Sequence, residues 1–333
     1  MGRLPPAERM TLPARKNLRD AWENNRADFE AGLSGMLGTA WTVNIDALQL
    51  YAYAAAYNDY AKSSFGDVIQ NYIEGALYHI KHLIDRQGDQ VLEEINAICF
   101  DHSITIDLDV EGSFPYCGCS VSSSGQLVIL FAEGQFGTLT LDALELEKLE
   151  AALNSAPTPS RIPMSYYARI SISKDYQATI EDVRKRLDEI LQTEMRLEPC
   201  FEETFAKLKA DPDSPSGWER NLGSFVKMYM EALTKTLQYL HFGEDDMLRE
   251  GFVEAVSKAT VVFRIVDEGQ MRHQSYNECA LEDGVLYLQV RFSRANFTLA
   301  MCLSQGLTDG LQTAPKYFGT NMDNVADGLM DLL

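Results

Sequence analysis

The sequence predicts an α+β fold made of two similar units in tandem, each with helices packed on one face of a small antiparallel sheet. Three observations support this. The chain has 333 residues, 46% hydrophobic and 23% charged, which suits a globular protein of two domains. Its apolar residues change twice from helical to alternating spacing. The two stretches concerned, residues 65–112 and 222–269, align without a gap. We interpret them as copies of one duplicated αα-βββ unit, related by an approximate two-fold axis.

The predicted organisation has four parts. Residues 1–24 form an N-terminal arm, and residues 25–153 form the first unit. Residues 154–163 are a Pro- and Ser-rich linker, and residues 164–333 form the second unit with a C-terminal helical tail. The most basic stretch of the chain, Arg9–Arg19, belongs to the arm. We expect it to be solvated rather than to be a docking site.

Helical spacing predicts three helices before the first strand. The first, Ala47–Lys62, is rich in Ala and Tyr, and we interpret it as an insertion because the second unit has the loop Asp211–Gly217 at this place. A long helix follows in each unit, marked by Val68, Ile69, Tyr72, Ile73, Ala76, Ile80 and Leu83, and by Phe225, Val226, Tyr229, Met230, Leu233, Leu237 and Leu240. A shorter helix carries Val91 and Ile95, matched by Leu248 and Phe252.

Alternating apolar residues predict the strands. Ile104, Ile106 and Leu108 share one face, and Val261, Phe263 and Ile265 match them in the second unit. In each unit two further predicted strands complete an antiparallel meander. They are residues 125–131 and 137–144 in the first unit and residues 284–290 and 296–303 in the second. The segment Tyr166–Ser173 alternates in the same way and is also predicted to be a strand. A helix with Ile180, Val183, Leu187, Ile190 and Leu191 follows it.

The charge of the chain restricts its partners. It has 29 Lys and Arg against 49 Asp and Glu, a formal net charge of −20. Such a surface repels phosphate backbones and anionic membranes, so we expect neither nucleic acid nor a membrane as partner. The net negative charge favours a basic protein as the partner. No apolar run is long enough to span a bilayer, and a cytosolic or nuclear location is predicted.

The six cysteines show no regular spacing, which predicts free thiols and no disulfide framework. The closest pair, Cys117 and Cys119, lies in a predicted loop and could bind a metal with His102. A structural zinc site needs four ligands, so we favour no metal and no cofactor. The chain also lacks the nucleophile elbow, the P-loop and the dinucleotide-binding glycine motif. The sequence therefore favours a non-enzymatic role.

A dense group of aromatic residues is the candidate binding site. Tyrosine combines an apolar body with a polar tip, which suits interfaces and ligand pockets. The group comprises Tyr51, Tyr53, Tyr57, Tyr60 and Tyr78, with His79 and His82 beside it on one helix face. The function predicted from it is a protein-binding module, such as an adaptor, an assembly factor or a chaperone-like escort of a basic partner. The alternative is a small-molecule enzyme with a pocket among the Tyr-rich helices.

The C-terminal stretch Asn324–Leu333 contains an L-x-x-L-L pattern ending at Leu333. Such a segment could lie in a groove of another protein. We expect it instead to cap the second unit of its own chain.

Overall fold

The structure is a computed structural model that describes residues 3–157, 164–212, 214–270 and 277–291. It confirms the predicted α+β class, with helices and two separate four-stranded sheets. Contacts divide the chain into two compact units, unit 1 (Met1–Tyr166) and unit 2 (Tyr167–Leu333). The predicted strand at 296–303, Cys302 and the C-terminal tail with its L-x-x-L-L pattern lie outside the described residues.

The elements of unit 1 occur in the following order: α1 Leu12–Asn17, a first π-helix Leu18–Glu23, α2 Arg26–Leu37, β1 Thr42–Asn44, α3 Ala47–Tyr57, α4 Asp59–Ser63, α5 Phe65–Gln87, α6 Asp89–Ile98, β2 Ser103–Leu108, β3 Cys117–Val121, β4 Leu127–Phe131, a 3₁₀-helix Thr140–Asp142 and α7 Leu146–Ser155.

The elements of unit 2 follow a closely similar order: α8 Tyr166–Ser171, a second π-helix Ile172–Gln177, α9 Ile180–Leu191, β5 Arg196–Glu198, α10 Phe201–Ala210, a 3₁₀-helix Trp218–Asn221, α11 Leu222–Tyr239, α12 Asp246–Ala255, β6 Thr260–Val266, a 3₁₀-turn Glu268–Gln270, β7 Asn277–Glu282 and β8 Val285–Arg291.

The two sheets have the same topology. Their strand orders are β1-β2-β4-β3 and β5-β6-β8-β7. In each sheet the first strand is parallel to the second, the second is parallel to the fourth, and the third is antiparallel to the fourth. The units thus repeat one arrangement of described elements. Their descent from a tandem duplication stays a prediction.

The predicted antiparallel meander is wrong, because the sheets are mixed. Between β2 and β3 the chain crosses to the far edge of the sheet through a loop that Asp109 holds. The buried Asp109 carboxylate accepts hydrogen bonds from the backbone N–H groups of Gly112 at 3.1 Å and Phe114 at 2.8 Å. The strand β3 was predicted as a loop, whereas the predicted strand 137–144 contains the 3₁₀-helix that packs on α5.

Two further expectations about secondary structure are wrong. The segment Tyr166–Ser173 is helical rather than extended, since alternation over so few residues does not separate a strand from a buried helix. The Tyr-rich helix is also not an insertion as a whole. Helix α3 follows β1 as α10 follows β5, and α4 is the additional α-helix of unit 1 among the described elements.

The N-terminal segment is not a solvated arm. Helix α1 and the first π-helix pack on α5, and Ala14, Leu18 and Trp22 are buried. This close packing requires Gly66, because a Cβ there would lie 2.4 Å from the Asn17 carbonyl oxygen and 2.7 Å from Leu18 Cα. The N-terminal segment is therefore part of the folded core of unit 1.

Unit 2 contains the same close contact between a π-helix and a glycine at the start of the long helix, and we call this contact the joint. A Cβ at Gly223 in α11 would lie 2.2 Å from the Ser171 carbonyl oxygen and 2.8 Å from Ile172 Cα. Side chains complete both joints. Asn17 Oδ1 accepts the N–H of Gly66 at 2.6 Å, and Ser171 Oγ accepts the N–H of Gly223 at 2.9 Å. In both units a π-helix is fixed on the first turn of the long helix.

Candidate functional site

A groove of about 950 Å³ runs along the outer side of the N-terminal segment of unit 1. Its walls are α1, the first π-helix and the start of α3. The lining residues are Arg9, Met10, Leu12, Pro13, Arg15, Lys16, Leu18, Arg19, Glu23, Ala47 and Leu48. Pi-helical segments are rare and are frequent at functional sites. The groove is therefore the candidate functional site.

N-terminal caps start α1 and α3, the two helices on opposite walls of the groove. The Thr11 side chain accepts the N–H of Ala14 and starts α1, with a proline in the first turn. The Asp46 carboxylate accepts the N–H of Gln49 at 3.0 Å and starts α3. The walls are joined by the Ala7 N–H, which donates to the Leu48 carbonyl at 3.1 Å. The groove is thus a formed feature of the fold.

Unpaired cations border the groove. Arg9, Arg15 and Lys16 are exposed and make no ion pair within the part of the chain that the structure describes. Arg19 pairs with its neighbour Asp20 at 2.8 Å, and Glu23 is the acidic residue among the lining residues. The charged lining residues are therefore mostly cations, four against the one acid Glu23, on a chain whose net charge is −20.

Exposed leucines lie among these cations. The Leu12 side chain is 71% exposed and the Leu48 side chain is 41% exposed. Complete burial of a leucine side chain contributes about 1.5–3 kcal/mol. These two leucines are too exposed to gain the whole of that free energy within the chain. Each wall of the groove therefore presents an exposed aliphatic residue beside the cations.

Unit 2 repeats this chemistry only in part. When the π-helices are aligned, Arg15 corresponds to Arg169, but Lys16 corresponds to Ile170 and Arg19 to Ser173. Alignment of β1 with β5 places Glu202 where unit 1 has Leu48. Unit 2 has a smaller cavity of about 300 Å³, where Arg184 is paired with Glu181 and Asp188. The basic groove is a feature of unit 1 alone in the described residues.

The predicted aromatic site is not a single surface. None of its seven residues lines the groove. Tyr51 and Tyr53 are buried, where Tyr51 packs edge-to-face on Phe65 at 5.3 Å and Tyr53 on Phe131 at 5.2 Å. Both rings belong to the core, so neither is free to anchor a partner.

Two of the buried hydroxyl groups nevertheless support the groove. The Tyr51 hydroxyl lies 3.3 Å from Thr11 Oγ1, and the Tyr53 hydroxyl accepts the N–H of Leu4 at 3.1 Å. Tyr51 and Tyr53 therefore tie α3 to the N-terminal segment. They are positioning residues for the groove.

The remaining members of the predicted group are on the surface. Tyr57, Tyr60 and Tyr78 are exposed, and the Tyr57 hydroxyl donates to Glu133 at 3.4 Å. The Tyr78 ring lies 5.0 Å from the ring of His79 and 6.2 Å from that of His82. Burial lowers the pKa of His79 below its ordinary value of 6.5, so this imidazole is neutral at pH 7.

Four of the five cysteines that the structure describes are buried, and Cys200 is half-buried. The five described cysteines are free, and the described residues contain no His, Cys, Asp and Glu cluster that could hold a metal. Burial raises the pKa values of Cys99 and Cys119 to about 12, so both are protonated thiols at pH 7. The pair Cys117 and Cys119 lies in β3 as part of the core.

Sequence reasoning missed the groove because it treated Arg9–Arg19 as a run of charges. The signal was the apolar residues within this run. Ala14, Leu18 and Trp22 recur every four residues and are all buried. A helix with one buried face presents its other face to solvent, and that face carries the cations.

Among the described residues, no helix has the length and apolar character needed to cross a membrane. Comparisons of the chain with protein-family models, with curated proteins and with solved structures found no match. The site itself is therefore the basis for any statement about function.

Proposed function

We propose that this protein is a non-enzymatic protein-binding module, an adaptor, assembly factor or escort, and that the basic groove of unit 1 is its recognition surface. The observation that carries the proposal is an exposed Leu12 between cations that make no ion pair in the described structure. An aliphatic side chain in such a position gains free energy when a partner buries it, and arginine, which lies beside it here, is enriched among interface anchors.

The contacts that hold the walls of the groove in place favour a binding surface over an ordinary part of the protein surface. Gly66 and Asn17 fix the N-terminal segment on α5, and the hydroxyl groups of Tyr51 and Tyr53 fix it to α3. A wall that is already ordered loses little conformational entropy on binding. The groove is also open along its rim, which suits an elongated protein segment better than an enclosed metabolite.

The groove favours a different class of partner from the one that the net charge predicts. The net charge of −20 led us to expect a basic partner, and no observation tests that expectation. The charged residues that line the groove are mostly cations, whereas the chain as a whole is strongly acidic. Short-range complementarity sets specificity, because charges beyond about 10 Å are screened at 0.1 M salt.

Site-specific photo-crosslinking tests the proposal. A photoreactive benzoylphenylalanine replaces Leu12, and a matched variant carries it at Val110, which is 51% exposed on the same unit. Irradiation in native lysate is followed by mass spectrometry of the crosslinked peptides and by reconstitution with the purified partner. We expect one protein, joined at position 12 through one segment, that binds the purified chain in a fixed ratio.

Two results contradict the proposal. One is the same crosslinking pattern from positions 12 and 110, which means that the groove is an ordinary surface. The other is a partner that crosslinks at position 12 but does not bind the purified chain in a fixed ratio.

A further inference from the structure

We infer that the groove binds an acidic segment of a partner protein that carries a large aliphatic or aromatic anchor. This inference rests on the proposed function and specifies the chemistry of the partner. The occupant is inferred from the charges and the apolar side chains of the groove together, because each excludes a different class of ligand.

The charges define the polar part of the occupant. Along the N-terminal segment, Leu12 is followed by Arg15 and Arg19 at intervals of three and four residues. Since these intervals bring side chains to one helix face, the leucine and the two guanidinium groups form one row. Lys16 and Arg9 add two more cations at the rim. Carboxylates on the partner are the complementary groups, and arginine binds them through two parallel hydrogen bonds.

The leucines define the apolar part. Leu12 on α1 and Leu48 at the start of α3 face the groove from its two walls. A partner side chain between them removes both leucines from water, which a purely acidic polymer cannot do. Nucleic acid fits poorly because the described groove lining has no aromatic side chain on which a base could stack, and the net charge of −20 repels a long polyanion as a whole.

An anionic membrane is the other surface that combines negative charge with apolar groups. A membrane needs a broad face with its apolar residues in one plane. Here Leu12 and Leu48 are on separate walls of a concave groove of about 950 Å³. The concave shape favours one inserted segment over a flat bilayer.

Fluorescence anisotropy with defined peptides tests the inference. The probe is a labelled amphipathic peptide of about 16 residues, with leucines at helical spacing and Glu or Asp on its other face. Two matched peptides carry Gln or Lys in place of the acids. The full chain is compared with R15E/K16E, with L12S, and with K81E/R86E, which makes the same charge change at exposed residues near the far end of α5.

We expect the acidic peptide to bind the full chain and the Gln and Lys peptides to bind at least about tenfold more weakly at low salt. R15E/K16E and L12S each weaken binding of the acidic peptide about tenfold or more, while K81E/R86E changes it less than about threefold. Circular dichroism verifies that each variant is folded. If R15E/K16E does not fold, L12S and the loss of binding at about 0.5 M salt decide the matter.

Several outcomes overturn the inference. They are equal binding of the three peptides, equal effects of the two charge variants, or binding to phosphatidylserine vesicles or single-stranded DNA in place of the acidic peptide. A crosslinked partner whose segment at position 12 lacks acidic residues leaves the proposed function standing and overturns only its acidic chemistry.

Discussion

Single residues decide how the N-terminal segment meets the long helix of each unit. Gly66 and Gly223 have ordinary helical positions but lie against backbone atoms of the preceding π-helix. A side chain at either position has no flexible neighbour that could move aside. The close approach also buries Leu18 and Trp22, while the cations of this segment stay exposed.

Gly66→Ala is expected to destabilise unit 1. Its methyl group meets the Asn17 carbonyl oxygen and Leu18 Cα, and relief requires separation of the π-helix from α5. We expect a loss of about 2–3 kcal/mol in the free energy of unfolding, measured in urea. Gly35→Ala is the matched control, because no atom lies within 4 Å of the new Cβ. The control should be neutral or more stable by about 0.5–1 kcal/mol, since alanine is the better helix former. Equal stability of the two variants would contradict the account of this joint.

The described thiols should differ in reactivity. Burial raises the pKa values of Cys99 and Cys119 to about 12, which lowers the fraction of reactive thiolate at pH 8. Cys200 is only half-buried and should react first with a disulfide reagent. All six thiols should react after denaturation. Mass spectrometry of the labelled peptides reads the order, and fast labelling of Cys99 or Cys119 in the folded protein would contradict their burial.

At the scale of elements, long periodic segments were predictable from the sequence and short ones were not. The helices α5 and α11 and the strands β2 and β6 follow patterns that repeat over many residues. The three-residue strands β1 and β5 are too short to show alternation. The order of the strands was also beyond prediction, because it depends on the path of the loop after β2, where the Asp109 carboxylate accepts hydrogen bonds from two backbone N–H groups.

The groove and the predicted aromatic group lie at different places in unit 1, and the predicted group stays a prediction as a binding site. Residue type made the tyrosines of α3 candidates, but contacts with the N-terminal segment, Phe65 and Phe131 place Tyr51 and Tyr53 in the core. The groove consists of residues that are unremarkable one by one, and it exists only because Asn17 and Gly66 bring α1 onto α5. Contacts of this kind between distant parts of the chain leave no local pattern.

Asn17→Ala is expected to weaken the attachment of the π-helix of unit 1. Asn17 Oδ1 accepts the N–H groups of Gly66 at 2.6 Å and Asp67 at 3.1 Å, and Asn17 Nδ2 donates to the Asp67 carboxylate at 2.9 Å. It therefore acts as an N-cap of α5 from another helix. We expect a loss of about 1–2 kcal/mol in urea unfolding, as for other caps. The exposed Asn24→Ala is the control, and an equal loss in both variants would contradict the capping role.

At the scale of the whole molecule, the chain consists of two compact units with one fold and different surfaces. Each unit is close to the size of an ordinary domain. The shared sheet topology accounts for the aligned sequence pattern. The groove chemistry belongs to unit 1, where Lys16 and Leu48 take the places that Ile170 and Glu202 occupy in unit 2.

A fragment comprising residues 1–166 is expected to fold on its own. Its hydrophobic core, its sheet and the groove lie within unit 1. Circular dichroism in urea should show one cooperative transition, and the fragment should bind the acidic peptide as the full chain does. A gradual, non-cooperative transition would mean that unit 1 depends on the rest of the chain.

Hydrogen–deuterium exchange of the full chain, with and without the acidic peptide, tests the central claim most directly. The claim is that the protein recognises its partner through the groove of unit 1. We expect slower exchange in peptides that cover residues 9–23 and 47–57, and unchanged exchange in the second π-helix, residues 172–177. Slower exchange that is confined to unit 2, or to the segments that carry Tyr57, Tyr60 and Tyr78, would contradict it.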